Sequence, residues 1–340
     1  MTQNKKVINL ALQGGGAHGA LAWGALDYML EDGRLDFEGI SATSAGAFNA
    51  VVLAQGLLNH DKEEARTVLY SAWKAVSDWG KLHNPCNALW SEGNIDTEYR
   101  EYSPFFPFFD LLTRTFSPYE LNPEGFSPLR DILNEIVDFP AIRKHASLKL
   151  HLCATNVETC KIHIFKNEDV SVDAVLASAC LPMYAQSVEV KGEYFWDGGY
   201  IGNPPLFPLI YDCVCPDILI IHIRPIVRKG VPKSAGEIMH RLNEITFNAS
   251  LMREMRAVAF ITKLIDDQKI IDPSVKRIFI HSLRADEIMM QYCKSSIVNT
   301  SWDLFTRLKE QGRQVAKAWL DQHFDQIGQA SSVDIHKEFL

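Results

Sequence analysis

Two short apolar runs, each followed by a tight turn of small residues and a helix-forming segment, constrain the fold of this chain most. The first run covers residues 7–12 and leads through three glycines into a helix-forming stretch over 17–30. The second covers residues 37–42 and leads into a predicted helix over 45–58. A strand followed directly by a helix does not form a hairpin with the next strand, so repeated units of this kind predict parallel strands.

Later apolar runs continue the alternation. Strands are predicted over 148–155, 162–165, 187–190, 194–196, 218–223 and 277–281, and helices over 61–76, 129–136, 234–265 and 302–323. Strand-sized apolar runs between helices are typical of α/β proteins, whose helices cover both faces of the sheet. We therefore expect an α/β fold with a doubly wound, mostly parallel sheet, helices on both faces and a C-terminal helical extension.

The pattern also suggests how the chain is organised. We expect a core over 6–210, further strands and helices over 211–326 that pack on the same domain, and a tail over 327–340. The last dozen residues carry little pattern and are expected to be frayed.

The stretch 81–128 is rich in proline and aromatic residues and is expected to be irregular. Two interpretations stay open. It could pack back onto the domain as a loop, or it could form a lid that contacts acyl chains through side chains such as Phe105 and Phe106.

Composition narrows the functional classes. The net charge is −8, and nucleic-acid binding requires a basic face, so nucleic acid is not an expected partner. No apolar run approaches the roughly 20 residues that cross a bilayer, and no signal-peptide core precedes Gly14. Seven scattered cysteines suit a reducing compartment, so a cytoplasmic location is expected. Cys213 and Cys215 have no second cysteine pair nearby, so no metal site is expected.

The predicted helix over 234–265 is amphipathic. Its apolar residues recur at helical spacing and are expected to face the core: Ile238, Leu242, Ile245, Ala249 and Met252. The region is also basic, through Arg228, Lys229, Lys233, Arg241, Arg253 and Arg256. In an acidic chain this permits a second interpretation, peripheral contact with a membrane surface.

The glycine-rich turn reads Gly14-Gly15-Gly16-Ala17-His18-Gly19. Its GxGxxG spacing between a strand and a helix fits the dinucleotide fingerprint, in which Asp36 or Glu38 would hold a ribose. The same unshielded N–H groups at a helix start would equally stabilise an oxyanion. The motif alone leaves both chemistries open, and His18 could contact an anionic head group or pack locally.

The second turn reads Thr43-Ser44-Ala45-Gly46 and stands where a strand turns sharply into a helix. This context holds a serine hydroxyl exposed at the sheet edge, as in a nucleophile elbow. The leading glycine of the usual GxSxG pattern is Ala42 here. The competing interpretation is that Ser44 only caps the helix.

A base for Ser44 is expected at Asp197, which is followed by Gly198 and Gly199. The glycines would let another loop approach closely, and a partly buried carboxylate against Trp196 would bind protons more tightly. A carboxylate that takes a proton directly from a serine needs this higher proton affinity.

A histidine base is the alternative, in the chain order Ser, Asp, His. His222 or His281 would satisfy this order. Each lies in or at the end of an apolar strand, however, and is expected to be structural.

Together these blocks resemble the patatin-like phospholipases. The resemblance covers residues 6–209 and rests on the glycine loop, the serine elbow and the aspartate motif in this order. Further signatures are Ala177-Ser178-Ala179-Cys180-Leu181-Pro182, Trp196-Asp197-Gly198-Gly199-Tyr200 and Asn203-Pro204. The downstream part is similar to a bacterial subfamily with an extra C-terminal region. In two places the chain departs from the family pattern: His18 stands where many members have Arg or Lys, and Ala42 replaces the first glycine of the elbow.

The resemblance implies a lipid acyl hydrolase that uses neither a metal ion nor an organic cofactor. Ser44 would attack the acyl carbonyl and Asp197 would accept its proton. The oxyanion hole would be formed by N–H groups of Gly14, Gly15 and Gly16. Supporting positions in the motifs are His18, Gly19, Gly46, Gly198 and Gly199.

The expected partner is therefore a lipid or another acyl ester, and no oligomeric state is predicted. Stored polyester is an alternative substrate. Two other classes stay open: a nicotinamide-dependent oxidoreductase built on the glycine motif, and a non-catalytic lipid-binding protein on the same fold.

Overall fold

One sheet organises the chain. The structure is a computed structural model that describes residues 5–83, 106–144, 148–292 and 294–340. The strands of the sheet are β1 (Lys6–Leu12), β2 (Leu35–Thr43), β3 (Lys149–Asn156), β4 (Ile162–Lys166), β5 (Val188–Val190), β6 (Glu193–Asp197), β7 (Asp217–Ile221) and β8 (Phe279–Leu283). Their order is β5-β6-β3-β2-β1-β7-β8, with β4 also paired to β3. The block β3-β2-β1-β7-β8 is parallel, and β4, β5 and β6 pair antiparallel.

Helices occupy the connections between the strands. They are α1 (Gly19–Asp32), α2 (Ala45–Gly56), α3 (Lys62–His83), α4 (Phe106–Thr115), α5 (Pro118–Leu121), α6 (Pro128–Ile136), α7 (Phe139–Lys144), α8 (Val172–Ser178), α9 (Phe207–Asp212), α10 (Ala235–Asp266), α11 (Asp286–Met289), α12 (Trp302–His323) and α13 (Ile335–Phe339). Among the described helices, none combines the length and the apolar composition needed to cross a bilayer.

The central parallel strands bury both of their faces. Along β7, Leu219 and Ile221 join the apolar layer that contains residues of α1, α2, α3 and α12. Ile218 and Ile220 point the other way and join the layer that contains residues of α9, α10 and α13. Successive side chains of a strand point to opposite faces, so a strand without polar alternation requires helices on both sides. The predicted doubly wound, mostly parallel architecture is confirmed.

The C-terminal region completes this sheet. β7 pairs with β1 along four residues, and β8 extends the sheet beyond β7. The expected limits of the regions 6–210, 211–326 and 327–340 stay predictions.

The expectation that the last dozen residues are frayed is wrong. They include α13, where Asp334 caps the helix through the N–H groups of His336 and Lys337 and Phe339 is buried.

The expected irregular stretch over 81–128 is partly helical. Its first residues end α3, residues 84–105 lie outside the described residues, and α4, α5 and the start of α6 follow. Pro107, Pro118 and Pro128 stand in the first turns of these three helices. The first turn lacks hydrogen-bond acceptors for its N–H groups, so proline is tolerated there. The prolines therefore mark helix starts, and the prediction of an irregular stretch is wrong over the described part.

Helix α10 is present as predicted, but it buries a different face. Ile238, Leu242 and Ile245 are exposed rather than in the core. The buried side chains of α10 begin at Glu244, so its first turns lie beyond the layer that packs on the sheet. The apolar residues on its buried face are Phe247, Leu251, Met255, Val258 and Ala259.

Helices α1 and α12 pack at backbone contact. A Cβ added to Gly24 would overlap the carbonyl oxygen of Lys309, and one added to Gly312 would overlap that of Leu21. Beside this contact the buried Asp27 carboxylate pairs with arginine and lysine side chains of α3 and α12.

We expect the Gly312→Ala variant to unfold with a free energy lowered by about 1–3 kcal/mol, because the added methyl forces the two helix backbones apart. Gly236→Ala in α10 is the matched control, since a Cβ there meets nothing within 4 Å. Urea denaturation of both variants measures the difference. Equal stability of the two variants would show that α1 and α12 do not pack this closely.

Candidate active site

Ser44 lies in the turn between β2 and α2, at the carboxyl edge of the parallel strands. Its backbone has φ 57° and ψ −123°, a conformation that costs a non-glycine residue on the order of 1–3 kcal/mol. Its N–H donates to the Ser178 hydroxyl at 2.9 Å, and its side chain makes no helix-cap hydrogen bond. Ser44 thus stands at the N-cap position of α2 but does not cap the helix through its hydroxyl. This strained strand–helix turn has the geometry expected of a nucleophile elbow.

Small residues allow this turn to form. A Cβ on Gly46 would overlap the carbonyl oxygen of Leu12, and one on Gly19 would lie 2.7 Å from the Cβ of Ala45. These glycines bring α1, α2 and β1 together beside the serine. Ala42, which replaces the usual first glycine, is fully buried in the apolar layer, so its methyl group is accommodated.

The glycine loop lies directly against the serine. A Cβ on Gly14 would be only 2.6 Å from the Cβ of Ser44. Gly14 was expected to donate to an oxyanion, but its N–H donates to Asn203 Oδ1 at 2.7 Å. Among the described residues, no acceptor is recorded for the N–H groups of Gly15 and Gly16. These two donors remain available to a ligand.

Asp197 ends β6 and is fully buried. Its Oδ1 accepts the N–H of Gly199 at 2.7 Å, and its Oδ2 has no hydrogen-bond partner among the described residues. Burial raises the pKa of Asp197 to about 6, and the Gly199 N–H and the Ser44 side chain act in the opposite direction. The Ser44 side chain is thus near enough to lower the pKa of Asp197, and the assignment of the two residues as nucleophile and base stays a prediction.

The burial of Asp197 has a different origin from the one expected. Trp196 precedes it on β6, and successive side chains of a strand point to opposite faces, so Trp196 does not cover the carboxyl group. Instead, Gly198 directly after Asp197 allows the backbone to come close to a neighbouring strand. A Cβ on Gly198 would overlap the carbonyl oxygen of Cys153, so the turn after β6 lies tightly on β3.

His18 packs locally. Its Nε2 lies 2.7 Å from the hydroxyl of Ser296, and its ring lies against Tyr292 with centroids 5.6 Å apart. Burial lowers the pKa of His18 to about 3, so the imidazole is neutral. Of the two interpretations left open by the sequence, local packing is the one observed.

The two histidines of the alternative triad are core residues, as expected. His281 Nε2 lies 2.9 Å from Asp217 Oδ1, and Asp217 begins β7, at the edge of the sheet opposite to the serine. His222 is buried against the ring of Phe339, and burial lowers its pKa to about 3. Both arrangements are structural.

The two carboxylates that a dinucleotide site would need lie away from the glycine loop. Asp36 pairs in register with Val7 at the start of β1, whereas the glycine loop follows the end of β1. Glu38 accepts the N–H groups of Val214 and Cys215. Neither carboxylate is at the sheet edge where a ribose would lie. Among the described residues, no three His, Cys, Asp or Glu side chains lie close enough to share a metal ion.

A cavity of about 250 Å³ adjoins the site. Ser44 and Asp197 do not line it. Its wall includes Tyr200, three residues after Asp197, and Ile297, whose carbonyl oxygen would be 2.5 Å from a Cβ on the third glycine of the loop. Phe247 of α10 forms a further part and lies against Tyr200 with centroids 5.2 Å apart. The cavity therefore reaches the elements that hold both the base and the glycine loop.

The described part of the proline-rich stretch contributes to this cavity. α4 places Arg114 in the wall, and Phe109 stacks on Tyr184 with centroids 5.8 Å apart. The side chains of Phe105 and Phe106 lie outside the described residues, so the lid hypothesis stays a prediction for them.

Three residues of the site were missed as functional positions. Ser178 and Asn203 hold the backbones of the elbow and the glycine loop, and Arg224 lines the cavity. The first two lie in the signatures noted above, but a hydrogen bond across more than 130 residues leaves no local pattern. Arg224 follows an apolar strand, and its charge at the end of that strand is the sequence feature that could have identified it.

Several solved structures are similar to this chain. No curated protein matches it significantly. Among solved structures it is similar to VipD from Legionella pneumophila, with 16% identity and a TM-score of 0.44, covering 94% of this chain and 67% of VipD. It is also similar to the type III effector protein ExoU, with 16% identity and a TM-score of 0.38, covering 94% of this chain and 54% of that chain. The chain thus spans about half the length of ExoU.

A family model gives the assignment. The model described as patatin-like phospholipase matches residues 10–210, which include the glycine loop, the elbow and the Asp197 motif. The match covers more than half of the chain. The chain therefore belongs to the patatin-like phospholipase family, whose members hydrolyse ester bonds of lipids.

Proposed function

We propose that this chain cleaves acyl esters of lipids with a dyad of Ser44 and Asp197. The observation that carries the proposal is the juxtaposition of a serine on a strained elbow with a fully buried carboxyl group whose pKa is raised to about 6. Such a carboxylate is ionised at neutral pH and yet basic enough to accept a proton from a hydroxyl group in the transition state.

The proposed reaction has two steps, acylation of Ser44 and hydrolysis of the acyl-serine. Ser44 Oγ attacks the acyl carbonyl carbon while Asp197 takes its proton. The tetrahedral intermediate then collapses, the C–O bond to the alcohol breaks, and the alcohol leaves with that proton. Water attacks the acyl-serine, again giving a proton to Asp197, and the Ser44 oxygen recovers it as the free acid leaves.

Backbone donors would stabilise the oxyanion in both steps. The N–H groups of Gly15 and Gly16 are available, and α2 begins immediately after Ser44 and adds the positive end of its dipole. Loss of one such donor costs roughly 3 to 4 kcal/mol in other hydrolases. Gly14 has a positioning role, because its N–H fixes the loop to Asn203.

Contact with a lipid surface is proposed for the start of α10. Ile238, Leu242 and Ile245 are 42%, 50% and 52% exposed and share one face at helical spacing. Met239 and His240, on the same turns, line the cavity. A lipid surface that covered the exposed residues would therefore lie at the cavity, and an acyl chain could enter from it.

Ser44→Ala and Asp197→Asn are each expected to lower the rate of p-nitrophenyl butyrate hydrolysis by at least about 10³-fold, because each removes a reacting atom. Fluorophosphonate labelling followed by peptide mapping should modify Ser44 and nothing else. Ser41→Ala is the matched control, since this buried serine lies on β2, three residues before Ser44, and donates to the Pro205 carbonyl. Near-normal turnover by Ser44→Ala would remove the dyad, and lipid binding without any turnover by the wild type would favour the non-catalytic alternative.

Activity is expected to fall tenfold per pH unit below about pH 6, because protonated Asp197 cannot act as a base. Stability gives an independent test. Between the ordinary value of 3.8 and about 6, the unfolded chain ionises at Asp197 and the folded chain does not, so the wild type loses stability as pH rises. Asp197→Asn lacks this loss, so its unfolding free energy relative to wild type should rise by up to about 3 kcal/mol from pH 4 to pH 7. A pH-independent difference would mean that the pKa of Asp197 is not raised.

Leu242→Ser together with Ile245→Ser is expected to reduce hydrolysis of lipid in vesicles by about tenfold or more, with p-nitrophenyl butyrate hydrolysis unchanged, because only the vesicle substrate needs surface contact. Phe260→Ser is the control, since Phe260 is also exposed on α10 but lies four turns further along. Equal effects of both variants on vesicles would exclude a specific contact at the start of the helix.

A further inference from the structure

Arg224 is fixed beside the glycine loop. It comes three residues after the end of β7, and the N–H groups of Ile223 and Arg224 donate to Gln13 Oε1 at 2.9 and 3.1 Å. Gln13 immediately precedes Gly14. The side chain of Ile223 lies so close to Gly15 that a Cβ there would overlap it. The start of the Arg224 side chain is therefore held at a fixed distance from the loop that faces the serine.

The guanidinium forms no ion pair with a carboxylate among the described residues, although the charges of Asp197 and Glu244 act on it from nearby. Its Nε is buried without a hydrogen-bond partner among the described residues, and its Cζ lies 4.3 Å from the ring centroid of Phe247. The nearby carboxylate of Glu244 is bound by other cations, through ion pairs with Arg228 and Arg241 and a contact with His240. A guanidinium stays charged in proteins, and a buried charge without a partner is costly.

The other cations of the cavity differ from Arg224. Arg114 Nε and Lys294 Nζ both bind the carboxylate of Asp110, at 2.7 and 2.9 Å. Within the described chain, Arg224 is the cation lining this cavity for which no carboxylate contact is recorded. It also lines a second, smaller cavity together with His18, which is neutral. The positive charge available next to the glycine loop therefore comes from Arg224.

We infer that Arg224 binds an anionic group of the substrate, a phosphate or a carboxylate, in the cavity beside Ser44, and so makes acidic acyl esters the preferred substrates. This inference rests on the proposed ester hydrolysis. The planar guanidinium suits both anions, because each offers two oxygens to its parallel N–H groups. The stacked Phe247 ring covers one face of the guanidinium and leaves its edge for the anion.

Kinetics with matched esters tests the inference. The substrates are dibutyroyl phosphatidic acid, the p-nitrophenyl half-ester of glutarate, and neutral p-nitrophenyl butyrate. Arg224→Gln should lower kcat/KM for one or both acidic esters by about 30-fold more than for the neutral ester, mainly through KM, because any effect of the lost charge on Asp197 is common to all three substrates. The acidic ester that loses more identifies the anion as phosphate or carboxylate. Arg114→Gln is the control and should change the ratio of acidic to neutral turnover little, since Arg114 is paired with Asp110.

Binding gives a readout that does not depend on turnover. In the Ser44→Ala background, dibutyroyl phosphatidic acid should raise the thermal midpoint and dibutyroylglycerol should not, and Arg224→Gln should abolish the difference. Arg224→Lys, which keeps the charge, should retain part of it and guards against a folding defect. If the wild type hydrolyses no ester but this binding persists, the proposed function fails and the anion site stands. Equal losses of Arg224→Gln on acidic and neutral esters, or equal binding of both lipids, would overturn the anion site.

Discussion

The close approach of the glycine loop to the serine turn is the constraint on which the site depends. Gly14 touches the Cβ of Ser44, and Gly46 lies against the Leu12 carbonyl at the end of β1. Two adjacent parallel strands end at the same edge, so their following turns meet there, and only glycine lets them meet at backbone contact. This contact gives a strained serine and free N–H groups a common position. Side chains at these glycines would separate the nucleophile from its oxyanion donors.

Asp197, the proposed base, lies at the end of an antiparallel strand. β6 runs antiparallel to β3, with Asp197 paired to Ala154, so its end brings the carboxylate to the edge occupied by Ser44. The site requires that this carboxylate be buried, and burial disfavours its ionised form. The hydrogen bond from Gly199 and the Ser44 hydroxyl offset part of that cost. The same raised pKa that would let Asp197 act as a base lowers the stability of the folded chain as the pH rises towards neutral.

Much of this could be predicted from the sequence because the relevant signals are local. The helix over 302–323 and the strand–turn–helix around Ser44 follow from residues that are neighbours in the chain. What could not be predicted depends on contacts between distant segments. The apolar stripe at Ile238 and Leu242 was expected in the core, and it is exposed because the buried side chains of α10 begin only at Glu244. Likewise, the Gly14 N–H looked free until Asn203, 189 residues away, proved to be its acceptor.

The residues proposed to react and many of the residues that line the cavity lie in different parts of the chain. Reaction type and substrate selectivity would therefore depend on different segments. Every atom proposed to react lies within residues 10–210, the part that the family model describes. Much of the cavity wall comes from later residues, including Arg224, Phe247 and Ile297. Phe247 and Ile297 approach the site at Gly199 and Gly16, and the charge of Arg224 also acts on Asp197. Because His18 in the loop is neutral, the positive charge beside the glycine loop comes from Arg224, which lies outside the part that the family model matches.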